Sequence, residues 1–219
     1  MAMRRIYTPL ALVALVLFAA APFVIASAPY ESTMGLVQKI FYFHVPTALM
    51  LFLSAFVCGI ASGIFLFRRS QRADRVALAA AELTVVFGLL ALVTGPLWAR
   101  KAWGVWWQWD ARLTSSLVLW MIFIAYMLLR KYAGPGSEPL AAGLAIFGMA
   151  NVPFVYWSVN WWRTVHPKTT VIPTLQGGMR TSFYFCLVAF LLLYLLMLTL
   201  RTRLETARAQ LEEVYREID

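Results

Sequence analysis

Only two histidines occur in the 219 residues, and both stand in aromatic company: His44 in the run FYFHVPTA and His166 in WWRTVHPKTT. A neutral imidazole ligates a metal through its unprotonated ring nitrogen, and two of them reaching one cavity can fill both axial positions of an iron porphyrin. Pro46 reads as a first-turn proline, which sets His44 just ahead of a helix N-terminus, where the positive end of the macrodipole disfavours imidazolium. His166 precedes Pro167, so its backbone is held extended and its ring is offered from a stiffened loop. Zinc is a poorer match, because it wants a third or fourth His, Cys or carboxylate at set spacing and the sequence has no such cluster. Each histidine also has an ordinary reading, as a hydrogen-bonding residue at a membrane interface.

The second concentration of chemistry is the stretch 98–114, WARKAWGVWWQWDARLT, which holds five of the nine tryptophans. An aromatic belt at the bilayer surface accounts for one or two indoles per helix end, as at Trp120 or Trp157, and accounts less well for Trp98, Trp103, Trp106, Trp107 and Trp109 together. If 103–110 is helical, Trp103, Trp106, Trp107 and Asp110 fall at i, i+3, i+4 and i+7, giving one aromatic face that ends in a carboxylate. Such a helix would lie flat on the membrane, where a porphyrin edge gains stacking and burial. Gly104 leaves room for close approach, and Asp110 can also cap the helix that follows. Arg100, Lys101, Arg112, Arg163 and Arg180 are the basic groups available to carboxylates such as haem propionates, each with a competing use as a helix-end or headgroup anchor.

The elements that must position these groups are membrane helices. The chain is 62% hydrophobic and 13% charged, with a mean hydropathy of +0.73, too apolar for a soluble domain. A span needs about 20 apolar residues, and six stretches qualify, at roughly 9–28, 46–67, 76–97, 113–130, 140–160 and 181–200. No ten-residue units of alternating polarity mark a transmembrane barrel. The expected fold is an all-α bundle of six transmembrane helices occupying 1–200, followed by an amphipathic tail over 201–219. With both termini inside, the inner segments hold Arg4, Arg5, Arg68, Arg69, Arg72, Arg75, Arg130, Lys131, Arg201, Arg203, Arg208 and Arg216, twelve of the nineteen basic residues. That bias favours cytoplasmic termini and puts both histidines and the Trp loop, between helices 3 and 4, outside.

The same reading excludes several classes. The net charge of +9 is spread over short loops, as topology demands, and does not indicate nucleic acid. Ala26-Ser27-Ala28 resembles a cleavage site, but Pro29 follows it directly and the apolar run is long, so a retained first helix is expected. Cys58 and Cys186 sit in separate spans, form no CxxC pair and offer no covalent haem attachment. No phosphate loop is present, so any ATP chemistry belongs to another subunit. Glu82, Thr84 and Asn151 are polar groups within or near spans, and helix-packing hydrogen bonds are their expected use.

The run from Trp103 through Asp110 to Thr114 resembles the WWD signature of haem-handling proteins in cytochrome c biogenesis. Together with FYFHVP, the WW-x-T-x-H run at His166 and the six spans, it resembles the haem exporter protein C (CcmC) family over about residues 10–200. The resemblance implies a non-covalent haem b at the outer face of a bacterial inner membrane, with His44 and His166 as axial ligands. It implies that Trp103, Trp106, Trp107, Trp109 and Asp110, with Gly104 among them, form the haem and chaperone surface. Implied partners are the haem chaperone CcmE, an ATP-binding subunit (CcmA), a second membrane subunit (CcmB) and a small single-span subunit (CcmD), with no catalytic residue in this chain. Two other classes compete: a bis-His membrane cytochrome passing electrons to quinone, and a purely structural exporter subunit using the Trp loop for docking.

Overall fold

A computed structural model describes residues 4–218; the extreme ends of the two expected segments, 1–3 and 219, lie outside the described residues. The described residues form seven α-helices: α1 (Arg4–Ser27), α2 (Phe41–Arg68), α3 (Gln71–Trp103), α4 (Ala111–Tyr132), α5 (Glu138–Trp161), the single turn α6 (Val171–Thr174) and α7 (Gly177–Ile218), with a 3₁₀ turn at Leu36–Ile40. All except α6 are long and apolar enough to cross a membrane. In lipid an unpaired backbone group costs several kcal/mol, so continuous helices are the form these apolar runs must take.

α2 is the central element, packed on α3, α5 and α7, while α4 joins α5 and α3, and α1 lies chiefly along α7. Small residues allow this closeness: Ala77, Ala79, Ala80 and Ala81 of α3 are all buried. Gly88 faces the Trp120 ring so tightly that an added Cβ would overlap it. Several polar groups in the bundle are matched across helices. Ser54 donates to the Ala80 carbonyl at 2.7 Å and Trp120 Nε1 to the Val85 carbonyl at 2.9 Å. Asn151 donates to the Ser115 carbonyl across α5 and α4, as expected of it, whereas Thr84 bonds back to the Ala80 carbonyl of its own helix and Glu82 forms a two-pronged ion pair with Arg201 of α7. Arg130 and Asp74 make a second bidentate pair at 2.6 and 2.7 Å.

Three local expectations need correction. α2 begins at Phe41, continuing the 3₁₀ turn, so Pro46 lies inside the helix and His44 belongs to the first turn instead of preceding it. The Trp stretch is only partly loop: α3 runs to Trp103, Gly104 ends it in the left-handed region at φ 78, and α4 starts at Ala111. Residues 104–110 are therefore not helical, and Trp103, Trp106, Trp107 and Asp110 do not share a helical face. Finally, 201–218 is no separate tail helix, because α7 continues through it unbroken. Because successive spans alternate in direction, the connections 28–40, 104–110 and 162–176 gather at one end of the bundle, and the turns 69–70 and 133–137 lie at the other.

Candidate functional site

His44 is held against α3. Its Nδ1 is 2.9 Å from Thr94 Oγ1, and Thr94 gives its own hydroxyl proton to the Leu90 carbonyl at 2.7 Å. The hydroxyl oxygen must therefore accept, which makes His44 Nδ1 the protonated nitrogen. Gly95, next along α3, leaves space for the ring: a Cβ there would stand 3.2 Å from His44 Cε1. His166, in the loop after α5, has Nδ1 2.9 Å from the Pro167 carbonyl oxygen, which can only accept. Both rings thus carry their proton on Nδ1 and keep the Nε2 lone pair free, the tautomer that an oxygen partner imposes on metal-binding histidines. Desolvation of the His166 ring, reinforced by the Arg112 charge, pushes its pKa down to about 3, so it is neutral at physiological pH.

The two rings face common space. Two adjoining cavities share His44, Phe52, Trp98, Arg112 and His166 in their walls. One extends to Trp103, Trp107 and Ser116, the other to Tyr156, Val159, Val171 and Ile172. Trp98 is buried, tilted 35° to the His44 ring at 6.5 Å and 5.2 Å from Trp103. The cavity has hydrogen-bond donors to spare: Trp98 Nε1 and Trp107 Nε1 are buried with no acceptor. Arg112 uses one nitrogen on the Val155 carbonyl at 2.5 Å and lies over the Phe52 ring. Buried donors without partners fit a ligand that brings acceptors.

Of the residues expected at the site, His44, His166, Trp103 and Trp107 line this space. Trp106 and Trp109 do not line it and are 57% and 77% exposed, while Gly104 serves as the α3 terminus. Asp110 caps α4, accepting the Leu113 N–H at 2.8 Å, and its other oxygen accepts the Thr164 hydroxyl. Among the five basic candidates, only Arg112 lines the cavities; Arg100 is turned to the Gly104 carbonyl. No sequence signal marks Thr94 or Gly95, which are placed against His44 by contacts between distant segments that no local spacing encodes. Trp98 and Thr164 stand in the Trp stretch and the WW-x-T-x-H run, but their own contacts are not legible there. Among the described residues, no group of three or more His, Cys, Asp or Glu could hold a metal ion. Two imidazoles do not complete a shell for a bare ion, but they suit an iron whose equatorial positions a porphyrin already fills.

Fold and site together define a polytopic helical membrane protein with an imidazole-bearing cavity at one end of the bundle. The family model for CcmC, "Heme exporter protein C", matches residues 1–217, and the chain belongs to that family. It is similar to the Heme exporter protein C of Bradyrhizobium diazoefficiens, 38% identical over 87% of this chain and 74% of that protein. It is 34% identical to that of Escherichia coli K12 over 80% and 73% of the two chains, and 33% identical to that of Paracoccus denitrificans over 84% and 79%.

Proposed function

We propose that this chain holds haem b between His44 and His166 and hands it to a CcmE-like haem chaperone, as a membrane subunit of a haem export complex in cytochrome c maturation. The observation that carries this reading is the pair of Nδ1-anchored imidazoles, both with Nε2 free, on one apolar, indole-walled cavity. Family membership supports haem as the occupant and the Ccm system as the setting. Trp98, Trp103 and Trp107 supply flat apolar walls, and Arg112 with the two unpartnered indole N–H groups supplies donors for the propionates. Trp106 and Trp109, exposed beside the cavity, form the chaperone's landing surface.

The basic bias of the opposite end supports a site at the outer face of a bacterial inner membrane. CcmA, CcmB and CcmD are the partners of this reading, with CcmA supplying the ATP chemistry for which this chain has no phosphate loop. The chain's own part is to bind, orient and release its cargo, not to catalyse. Both histidines lie at one end of the bundle, which favours presentation at one face over electron transfer across about 30 Å of hydrocarbon.

Purified protein carrying haem tests the assignment. His44→Ala and His166→Ala should each abolish the low-spin bis-His spectrum, and an unchanged spectrum in both variants would sink it.

A further inference from the structure

The two imidazoles are anchored unequally. His44 rides on α2 and is braced by Thr94 and Gly95 of α3, so two long helices fix it. His166 stands in an irregular loop. Within 162–167, the one described side-chain hydrogen bond to another element is that from the Thr164 hydroxyl to Asp110 Oδ2. Thr164 Oγ1 in turn accepts the backbone N–H of His166 at 3.0 Å. Asp110 meanwhile keeps Oδ1 on the Leu113 N–H at 2.8 Å, which fixes it to the first turn of α4. A continuous chain of hydrogen bonds therefore runs from the α4 N-terminus through Asp110 and Thr164 to the backbone that carries the His166 ring. The carboxylate that starts this chain directly follows Trp109, 77% exposed.

We propose that Asp110 and Thr164 form a latch that positions His166 for iron ligation and makes its placement depend on the conformation of the Trp segment 104–110. Asp110 is thus a positioning residue with one oxygen for its helix and one for the ligand loop. A partner that shifts Trp109 loosens His166 while His44 keeps its hold. The inference rests on the reading of His44 and His166 as axial ligands.

Thr164→Val removes the hydroxyl while keeping the branched shape. Asp110→Asn keeps a good cap for α4 while replacing the oxygen that accepts from Thr164. Titrated with haem in detergent, each variant should lose about 10-fold in haem affinity, the lower end of second-shell effects at metal sites. Each should also gain a five-coordinate high-spin component that added imidazole converts back to low-spin. Thr164→Ser should restore the parent spectrum, and the double variant should be no worse than the singles, because both break one chain of contacts. Should Thr164→Val fail to fold, Asp110→Asn carries the same comparison. Parent-like affinity and spectrum in Thr164→Val and Asp110→Asn, with His166→Ala altered, would overturn the latch alone. An unaltered His166→Ala would overturn the ligand reading beneath it.

Discussion

At the scale of single residues, the site depends on where protons sit. A histidine can ligate through either nitrogen, and a ring free to choose would spend part of its time with the proton on the nitrogen that faces the cavity. Thr94 prevents this at His44 because its own proton is committed to the Leu90 carbonyl, leaving only an acceptor for the ring. The Pro167 carbonyl does the same at His166. Thr94→Val should therefore weaken haem binding by about 10-fold through loss of the fixed tautomer, measured by haem titration, and Thr94→Ser should recover most of it. The Thr94 hydroxyl is half-buried against His44, so its loss is read at that ring. Nothing in the sequence shows this role: Thr94 lies fifty residues from His44, inside an apolar run where a threonine ordinarily bonds back to its own helix.

At the scale of elements, the helices are legible because a hydrophobic run of span length has no other stable form in lipid. Their ends are less so. Pro46 suggested a start that the backbone places at Phe41, because the 3₁₀ turn before it already supplies a helical lead-in. The i, i+3, i+4, i+7 pattern of Trp103, Trp106, Trp107 and Asp110 is genuine in the sequence but is defeated by Gly104, whose φ of 78 turns the chain out of the helix. Periodicity reports which residues could share a face, and one glycine decides whether they do. Where glycine acts by its missing side chain, the effect is open to measurement. Gly88→Ala places a Cβ against Trp120, a ring already fixed by its hydrogen bond to the Val85 carbonyl. It should destabilise the α3–α4 packing by about 1–3 kcal/mol, read as a lowered unfolding temperature in detergent. Gly143, with open space around its Cα, should accept the same change at little cost.

At the scale of the whole molecule, the pattern of charge and the pattern of connections divide the protein in the same way. The histidines, the Trp segment and the cavity occupy one end, and the ion pair of Arg130 with Asp74 and the basic turn at Arg68 and Arg69 lie at the other. A single cysteine introduced at Trp109, in a chain whose Cys58 and Cys186 are buried and free, should react with a membrane-impermeant maleimide added outside intact spheroplasts. One introduced at Ser137 should react only after permeabilisation. The reverse pattern would invert the topology and move the cavity to the inner face.

α7 carries this division further than its neighbours. It runs 42 residues, about 63 Å at 1.5 Å per residue, with no proline along it, whereas α3 and α5 carry Pro96 and Pro153 inside them. Sharp kinks in helices fall mostly at proline, and α7 has none between Gly177 and Ile218. Gly177 is also where the chain bends, at φ 51, into the segment that leads back to His166. One unbroken helix thereby joins the segment that leads back to His166 at one end of the bundle to the 201–218 stretch beyond the other.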